Sequence, residues 1–309
     1  MTTLLHCGDA ARGDLWRAVL PDMVPGLTVR HWPDLGDPSD IEYVAAWTLP
    51  PGLAAGLPNL RMVASIGAGV DQLELATIPP HVAVVRLIEP DLVRGMVEYA
   101  VMATLMLQRD MLGYRDDQQA RRWSPRRRVA AADRRVGVMG LGAIGTAVLE
   151  GLAPFGFALS GWSRSAKTID GVATWHGADQ IAAFARDVDI LICALPLTDE
   201  TRGILAKPLF DVLPEGAGLI NVGRGGHLVQ DDLLAALATG QIGGAILDVT
   251  TPEPLPGDSA LWHHPAVVLT PHIASDTVPS AAARAMADAI LAIQRGDVPV
   301  GQIDRTNGY

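Results

Sequence analysis

The sequence predicts an α/β protein built from two doubly wound parallel-sheet domains. Short β-branched or apolar runs alternate with helical patterns along most of the chain, which is the signature of a parallel sheet. With 309 residues, 49% of them hydrophobic, the chain is longer than one core usually serves. At one strand-to-helix junction, Gly140, Gly142 and Gly145 stand in the spacing of a dinucleotide-binding turn.

The first series of strand candidates is Thr28 to Trp32, Ile41 to Trp47, Leu60 to Ile66 and Val82 to Leu87. Apolar spacing then predicts one long helix from about Asp91 to Leu112. The second series is Arg135 to Met139, Phe157 to Trp162, Asp189 to Leu195, Ala217 to Val222, Gly243 to Val249 and Ala266 to Thr270. Six strands with intervening helices fit a Rossmann dinucleotide domain. After Pro279 the alanine-rich run Ser280 to Arg295 predicts a last helix that crosses back to the first domain. The first domain is then discontinuous, residues 1–94 with 280–309, and the dinucleotide domain spans 95–279.

A formal charge of −10 argues against a nucleic-acid or anionic-membrane partner, since both reward positive charge. An anionic substrate would need a local cationic pocket. Cys7 and Cys193 stand far apart with no second ligand cluster, so no disulfide framework and no metal site is expected, and the chain reads as reduced and cytoplasmic. The N-terminal residues lack a basic region followed by an apolar stretch, and Arg94 and Glu98 interrupt the most apolar later segment. Neither secretion nor a membrane span is expected. The arginine-rich segment Arg121-Arg122-Trp123-Ser124-Pro125-Arg126-Arg127-Arg128 is read as a solvated connector or subunit contact rather than a nucleic-acid site.

The glycine triplet follows the strand Arg135 to Met139 and precedes the helical run Thr146 to Ala153. Gly140 permits the tight turn, Gly142 lets the backbone approach a pyrophosphate, and Gly145 lets helix and strand pack closely. The helix N-terminus offers amide donors to the phosphates. At the end of the next strand an Asp or Glu would bind the adenosine ribose hydroxyls. The chain has Trp162-Ser163-Arg164-Ser165-Ala166-Lys167 instead. Arg164, helped by Ser163 and Lys167, suits a 2′-phosphate through charge-assisted hydrogen bonds, and no carboxylate is present to repel it. NADPH is therefore expected as cofactor, with NADH usable at lower efficiency.

Three ionisable residues lie just beyond three successive strand candidates: Arg224 in Asn221-Val222-Gly223-Arg224-Gly225, Glu253 in Asp248-Val249-Thr250-Thr251-Pro252-Glu253, and His272 in Thr270-Pro271-His272-Ile273. Ligands bind at the carboxyl ends of parallel strands. A 2-oxo acid needs a cation for its carboxylate and carbonyl, and a proton donor for the oxygen that becomes negative as hydride arrives. Arg224 and His272 supply these, and Glu253 orients the imidazole and favours its protonated form. His227 carries a weaker claim through its closeness to Arg224. In the first domain the turn Ile66-Gly67-Ala68-Gly69-Val70-Asp71 is either an amide nest for a carboxylate or a plain tight turn. Trp47 fits an apolar wall of the same cleft or core packing equally well.

These segments, together with Gly95-Met96-Val97-Glu98-Tyr99, Asp231-Asp232-Leu233-Leu234-Ala235-Ala236-Leu237, Glu253-Pro254-Leu255-Pro256, Leu261-Trp262-His263-His264-Pro265 and the terminal run Gly301 to Tyr309, resemble the D-isomer-specific 2-hydroxyacid dehydrogenase family over essentially the whole chain. The resemblance is strongest to its glyoxylate/hydroxypyruvate reductase A branch. It implies a Rossmann domain inserted in a flavodoxin-like substrate domain, with Arg224, Glu253 and His272 as the catalytic residues. It also implies that Asp248 lies near the nicotinamide, that the Gly67 to Val70 turn holds the substrate carboxylate, and that the protein is a homodimer. Ala143, Ile144, Leu195, Pro196 and Val222 are assigned to the cofactor alongside the glycines. The expected reaction is NADPH-dependent reduction of small 2-oxo acids such as glyoxylate and hydroxypyruvate. The alternatives are an enzyme for bulkier acids such as phenylpyruvate, and a dinucleotide-sensing protein without turnover. Thr250 departs from the Phe more usual after Asp-Val in the family.

Overall fold

The computed structural model describes residues 2–127, 129–275 and 277–305; Arg128 of the arginine-rich segment and Thr306 to Tyr309 of the terminal run lie outside them. The chain divides into two units, Met1–Leu92 with Asp276–Tyr309, and Val93–Ser275.

The first unit opens with β1 (Thr2–Cys7), α1 (Ala10–Met23), β2 (Leu27–His31), β3 (Ile41–Ala46), β4 (Met62–Ser65) and β5 (Ala83–Arg86). The five strands are parallel in the order β2-β1-β3-β4-β5, the flavodoxin-like order. One of them, β1, is absent from the four strand candidates. Central parallel strands are covered on both faces, so they show no alternation. Here the apolar run is also broken by Thr3 and His6, both fully buried. The carboxylate of Asp9 caps α1 by accepting the Arg12 amide at 2.8 Å, a contact worth about 1 kcal/mol.

Helix α2 (Pro90–Gln108) starts where the Glu89 carboxylate accepts the amides of Asp91 and Leu92 at 2.7 and 3.0 Å. The expected single helix to Leu112 is broken. Asp110 takes a left-handed conformation with φ 51°, which Asp tolerates better than most residues, and α3 (Met111–Gln119) starts there. The arginine-rich segment is exposed throughout Arg121 to Arg127, and it also folds back on α3. Arg122 and Arg126 each lie 2.8 Å from the buried Asp117 carboxylate, and Arg126 lies 2.8 Å from Asp110. Those guanidinium contacts, Arg126 first, hold the Asp117 carboxyl below its usual range.

The second unit continues with β6 (Arg135–Met139), α4 (Ala143–Leu152), β7 (Ala158–Ser163), β8 (Ala173–His176), α5 (Ile181–Ala185), β9 (Ile190–Cys193) and α6 (Lys207–Phe210). It ends with β10 (Ala217–Asn221), α7 (Gln230–Thr239), β11 (Ile242–Leu247) and β12 (Val267–Leu269). These strands form one parallel sheet in the order β12-β11-β10-β9-β6-β7-β8. It has seven strands rather than the six expected. The additional strand, β8, sits at the edge with Ala173 and His176 exposed, so its sequence lacks a buried apolar run. The strand order reverses between β6 and β9, and ligands bind at the carboxyl ends of strands beside such a reversal.

Helix α8 (Pro279–Arg295) returns the chain to the first unit. Its residues Ala282, Ala283, Met286 and Ile290 are fully buried in one cluster with Leu4, Trp16 and Leu20. Trp16 donates its indole N–H to the Pro279 carbonyl at 3.0 Å. Truncating Met286 or Ile290 to Ala would cost about 2–5 kcal/mol. Among the described residues, no helix is long and apolar enough to cross a membrane.

Candidate active site

The glycine turn follows β6. Gly140 has φ 105°, and a Cβ there would lie 2.7 Å from the Ala194 carbonyl oxygen. At Gly145 a Cβ would lie 1.8 Å from the Gly140 carbonyl oxygen, so only glycine lets the first turn of α4 settle on the loop. Gly142 differs: it caps α4 in an extended conformation, and a Cβ there would meet nothing within 4 Å. The turn is thus tight where it packs on itself and open at the helix N-terminus, a cradle that fits a dinucleotide pyrophosphate. Ala143 and Ile144 form the first helical residues beside it.

Strand β7 delivers Ser163 and Arg164. Ser163 is buried and donates its hydroxyl to the Ser165 carbonyl at 2.8 Å, whereas Arg164 and Lys167 are exposed. The Glu200 carboxyl is held below its usual range, first by the Thr198 hydroxyl and more weakly by the charge of Arg164. A carboxylate is therefore within electrostatic reach of Arg164, supplied by a loop distant in sequence.

Arg224 follows β10. The Asn221 side chain accepts the Gly223 amide at 3.2 Å and donates to the Arg224 carbonyl at 3.0 Å. The Arg224 amide donates to His227 Nδ1 at 3.0 Å, so the ring proton of this neutral imidazole sits on Nε2, which donates to the Pro196 carbonyl at 3.2 Å. His227 is fully buried and braces the Arg224 backbone. The guanidinium donates through Nη1 to the Gly223 carbonyl at 2.9 Å. Leu195 and Val222 are buried at the ends of β9 and β10.

Glu253 follows β11 and His272 follows β12, and the structure brings these two together. Glu253 Oε2 lies 2.9 Å from His272 Nδ1, while its Oε1 accepts the Thr250 amide at 3.0 Å. Nδ1 faces the carboxylate, and Nε2 is the ring nitrogen turned away from Glu253. His272 has φ 58°, unusual for a residue with a side chain, and its amide donates to the Asp248 carbonyl at 2.8 Å. Thr250, the departure from the family pattern, turns its hydroxyl to the Pro252 carbonyl at 3.0 Å. Arg224, Glu253 and His272 thus follow three adjacent parallel strands, at one edge of one sheet.

In the first unit, the turn after β4 is fixed by side chains. Ser65 Oγ accepts the Gly67 amide at 3.4 Å and the Gln72 side-chain amide at 3.0 Å, and donates to the Gly69 carbonyl at 2.5 Å. Core packing is set aside for Trp47. It is 38% exposed, and a Cβ on Gly67 would lie 2.9 Å from its ring, so the indole lies against the turn. Gly67, Ala68, Gly69, Val70 and Trp47 therefore belong to one local structure.

Residues 101–274 match the family model "D-isomer specific 2-hydroxyacid dehydrogenase, NAD binding domain". Over 300 residues, covering 95% of this chain and 96% of the relative, the chain is 42% identical to a glyoxylate/hydroxypyruvate reductase A of Serratia proteamaculans. The chain belongs to the D-isomer-specific 2-hydroxyacid dehydrogenase family. A dehydrogenase of this family from Xanthobacter autotrophicus, solved with NADPH and MES, is 37% identical with a TM-score of 0.94, each chain being covered completely. An NADPH-dependent glyoxylate/hydroxypyruvate reductase from Sinorhizobium meliloti, solved with NADP and sulfate, is 33% identical with a TM-score of 0.91, again over the whole of both chains.

Sequence reasoning missed the Ser65 and Gln72 contacts that brace the turn after β4 of this 2-hydroxyacid dehydrogenase. The Ser65–Gln72 pair leaves no motif. His227 had only its closeness to Arg224 as a signal, and its partner Pro196 stands 31 residues away.

Proposed function

We propose that this 2-hydroxyacid dehydrogenase reduces small 2-oxo acids, glyoxylate and hydroxypyruvate, with NADPH. The observation that carries the reading is the His272–Glu253 contact of 2.9 Å at the sheet edge where Arg224 also emerges. Gly140, Gly142, Ala143, Ile144 and Gly145 would hold the pyrophosphate, Ser163, Arg164 and Lys167 the 2′-phosphate, and Leu195, Pro196, Val222 and Asp248 the nicotinamide half. NADPH, when bound, supplies the hydride that the 2-oxo carbon accepts. NADPH or NADP in the solved relatives supports this choice of cofactor.

Arg224 holds the substrate carboxylate and polarises the carbonyl, as a delocalised cation with paired donors does. In the first unit, the backbone amides of Gly67, Ala68, Gly69 and Val70 are assigned to a substrate carboxylate, and Trp47 to an apolar wall beside that turn. His272, protonated on both nitrogens, gives the Nε2 proton to the oxygen as negative charge develops there. Glu253 keeps the ring oriented through its contact with Nδ1. The product is a 2-hydroxy acid, D-configured where it is chiral. Met102 on α2, Met111 on α3 and Trp123 beyond α3 are exposed apolar side chains, which supports a homodimer. The free thiols Cys7 and Cys193, both buried, suit the cytoplasm.

The test is the initial rate of nicotinamide oxidation with glyoxylate, hydroxypyruvate, pyruvate and phenylpyruvate, each with NADPH and with NADH. A preference for NADPH and the two small polar acids is expected, with loss of turnover in His272→Asn. Preference for phenylpyruvate, or NADPH binding without turnover of any acid, would overturn the reading.

A further inference from the structure

The loop that carries His272 is held by a chain of contacts reaching back to α2. Tyr99 is buried, and its Oη lies 2.5 Å from Thr270 Oγ1. Thr270 Oγ1 lies 2.6 Å from Asp248 Oδ1. Asp248, only 2% exposed, also accepts the amides of Ile273 through Oδ1 and Ala274 through Oδ2, each at 2.8 Å. Its backbone carbonyl takes the His272 amide. Asp248 therefore grips three consecutive amides starting at His272.

The direction of this chain follows from the donor inventory. A carboxylate has only lone pairs to offer, so Thr270 donates its single proton to Asp248. The Thr270 oxygen can then only accept from Tyr99, which donates. Burial pushes the Tyr99 phenol up to about 12, which keeps that proton in place through the working pH range.

We propose that Tyr99 and Thr270 are positioning residues for proton transfer: through Asp248 they hold His272 in the left-handed conformation in which its imidazole meets Glu253. A side-chain-bearing residue keeps such a backbone only when its surroundings over-determine it. Three amide contacts from one aspartate do so, and the hydroxyl pair fixes the rotamer of that aspartate. Neither hydroxyl is assigned contact with the substrate.

This inference rests on His272 being the proton donor, and its test separates the two ideas. Thr270→Val, Thr270→Ser and Tyr99→Phe are compared with wild type and with His272→Asn. Thr270→Val is expected to lower kcat roughly tenfold or more, since small displacements of a reacting group cost that much, with KM nearly unchanged. Thr270→Ser, which keeps the hydroxyl, recovers most of the loss, and Tyr99→Phe is intermediate. In Thr270→Val, amide hydrogen exchange in the segment 271–275 of the cofactor-free protein speeds up as well. A lowered melting temperature with kcat and the exchange both unmoved would show a merely structural role and overturn the proposal. Equal kcat in Thr270→Val and Thr270→Ser would do the same. Full activity in His272→Asn would instead remove the proton-donor reading, and the proposal with it, even where the exchange data show the loop loosened.

Discussion

The glycine turn allows cofactor binding and fold stability to be separated with two single-methyl substitutions. In Gly142→Ala the new Cβ meets nothing within 4 Å, and the extended backbone at φ −83° and ψ −168° accepts any L residue. The fold should therefore be unharmed, because the gain of about 0.4–1 kcal/mol from a less flexible unfolded chain offsets the poorer N-cap preference of alanine. The same methyl stands on the open side of the helix N-terminus, where the pyrophosphate must approach. Losing one amide contact to a charged phosphate costs about 1.5–3 kcal/mol, or roughly a 10- to 150-fold weaker Kd. In Gly145→Ala the Cβ would lie 1.8 Å from the Gly140 carbonyl oxygen, so the loop itself must move, at about 1–3 kcal/mol or more. Thermal unfolding with and without NADPH reads both effects, because the ligand-induced rise in melting temperature tracks the ratio of free ligand to Kd. Gly142→Ala should melt no lower than wild type without cofactor and gain much less from it, whereas Gly145→Ala should melt lower throughout. A wild-type rise with NADPH in Gly142→Ala, or a clear loss of its unliganded stability, would refute the reasoning.

Acid should weaken the first unit through His6, whose pKa is lowered from 6.5 to about 4, first by burial and then by the charge of His31. The unfolded chain takes up this proton below about pH 6.5 and the folded one does not, so stability is complete above that pH and falls as pH drops towards 4, by up to about 3 kcal/mol. Urea unfolding should show this slope in wild type and a shallower one in His6→Asn; identical slopes would contradict it. Glu200→Gln should tighten NADPH binding about two- to fivefold and leave NADH alone, since it removes an exposed carboxylate from the field of Arg164; fluorescence titration of both cofactors decides. His227→Leu strips partners from the Arg224 amide and the Pro196 carbonyl, so about 1–3 kcal/mol of stability should be lost. Loosening Arg224 should also raise KM for the 2-oxo acid more than it lowers kcat, which steady-state kinetics with a denaturation curve would check.

Much of the sheet architecture was readable because central parallel strands are continuous apolar runs, as in Ile190–Cys193 and Ala217–Asn221, both wholly buried. The departures have local causes. Thr3 and His6 interrupt the apolar signal of β1, and β8 is an edge strand whose outer residues are wet. At Asp110 a left-handed residue ends a helix that the apolar spacing would have continued. The positions of Arg224, Glu253 and His272 relative to the strands were legible because each stands just past an apolar run, beside Gly or Pro. The contacts that brace them were not, because Tyr99 and Thr270 are 171 residues apart and Arg164 meets the field of Glu200 only in three dimensions. A polar pair that distant in sequence leaves no periodicity to read.

The return of α8 to the first unit imposes an order on synthesis. A ribosome releases β1 and α1 long before Met286 and Ile290, which share their core cluster, have been translated. The second unit, residues 93–275, is complete earlier and needs no later segment to close its own sheet. Nascent chains should therefore carry a folded insert behind an N-terminal segment whose apolar face is still open, and it is during that interval that chaperones would find a binding surface.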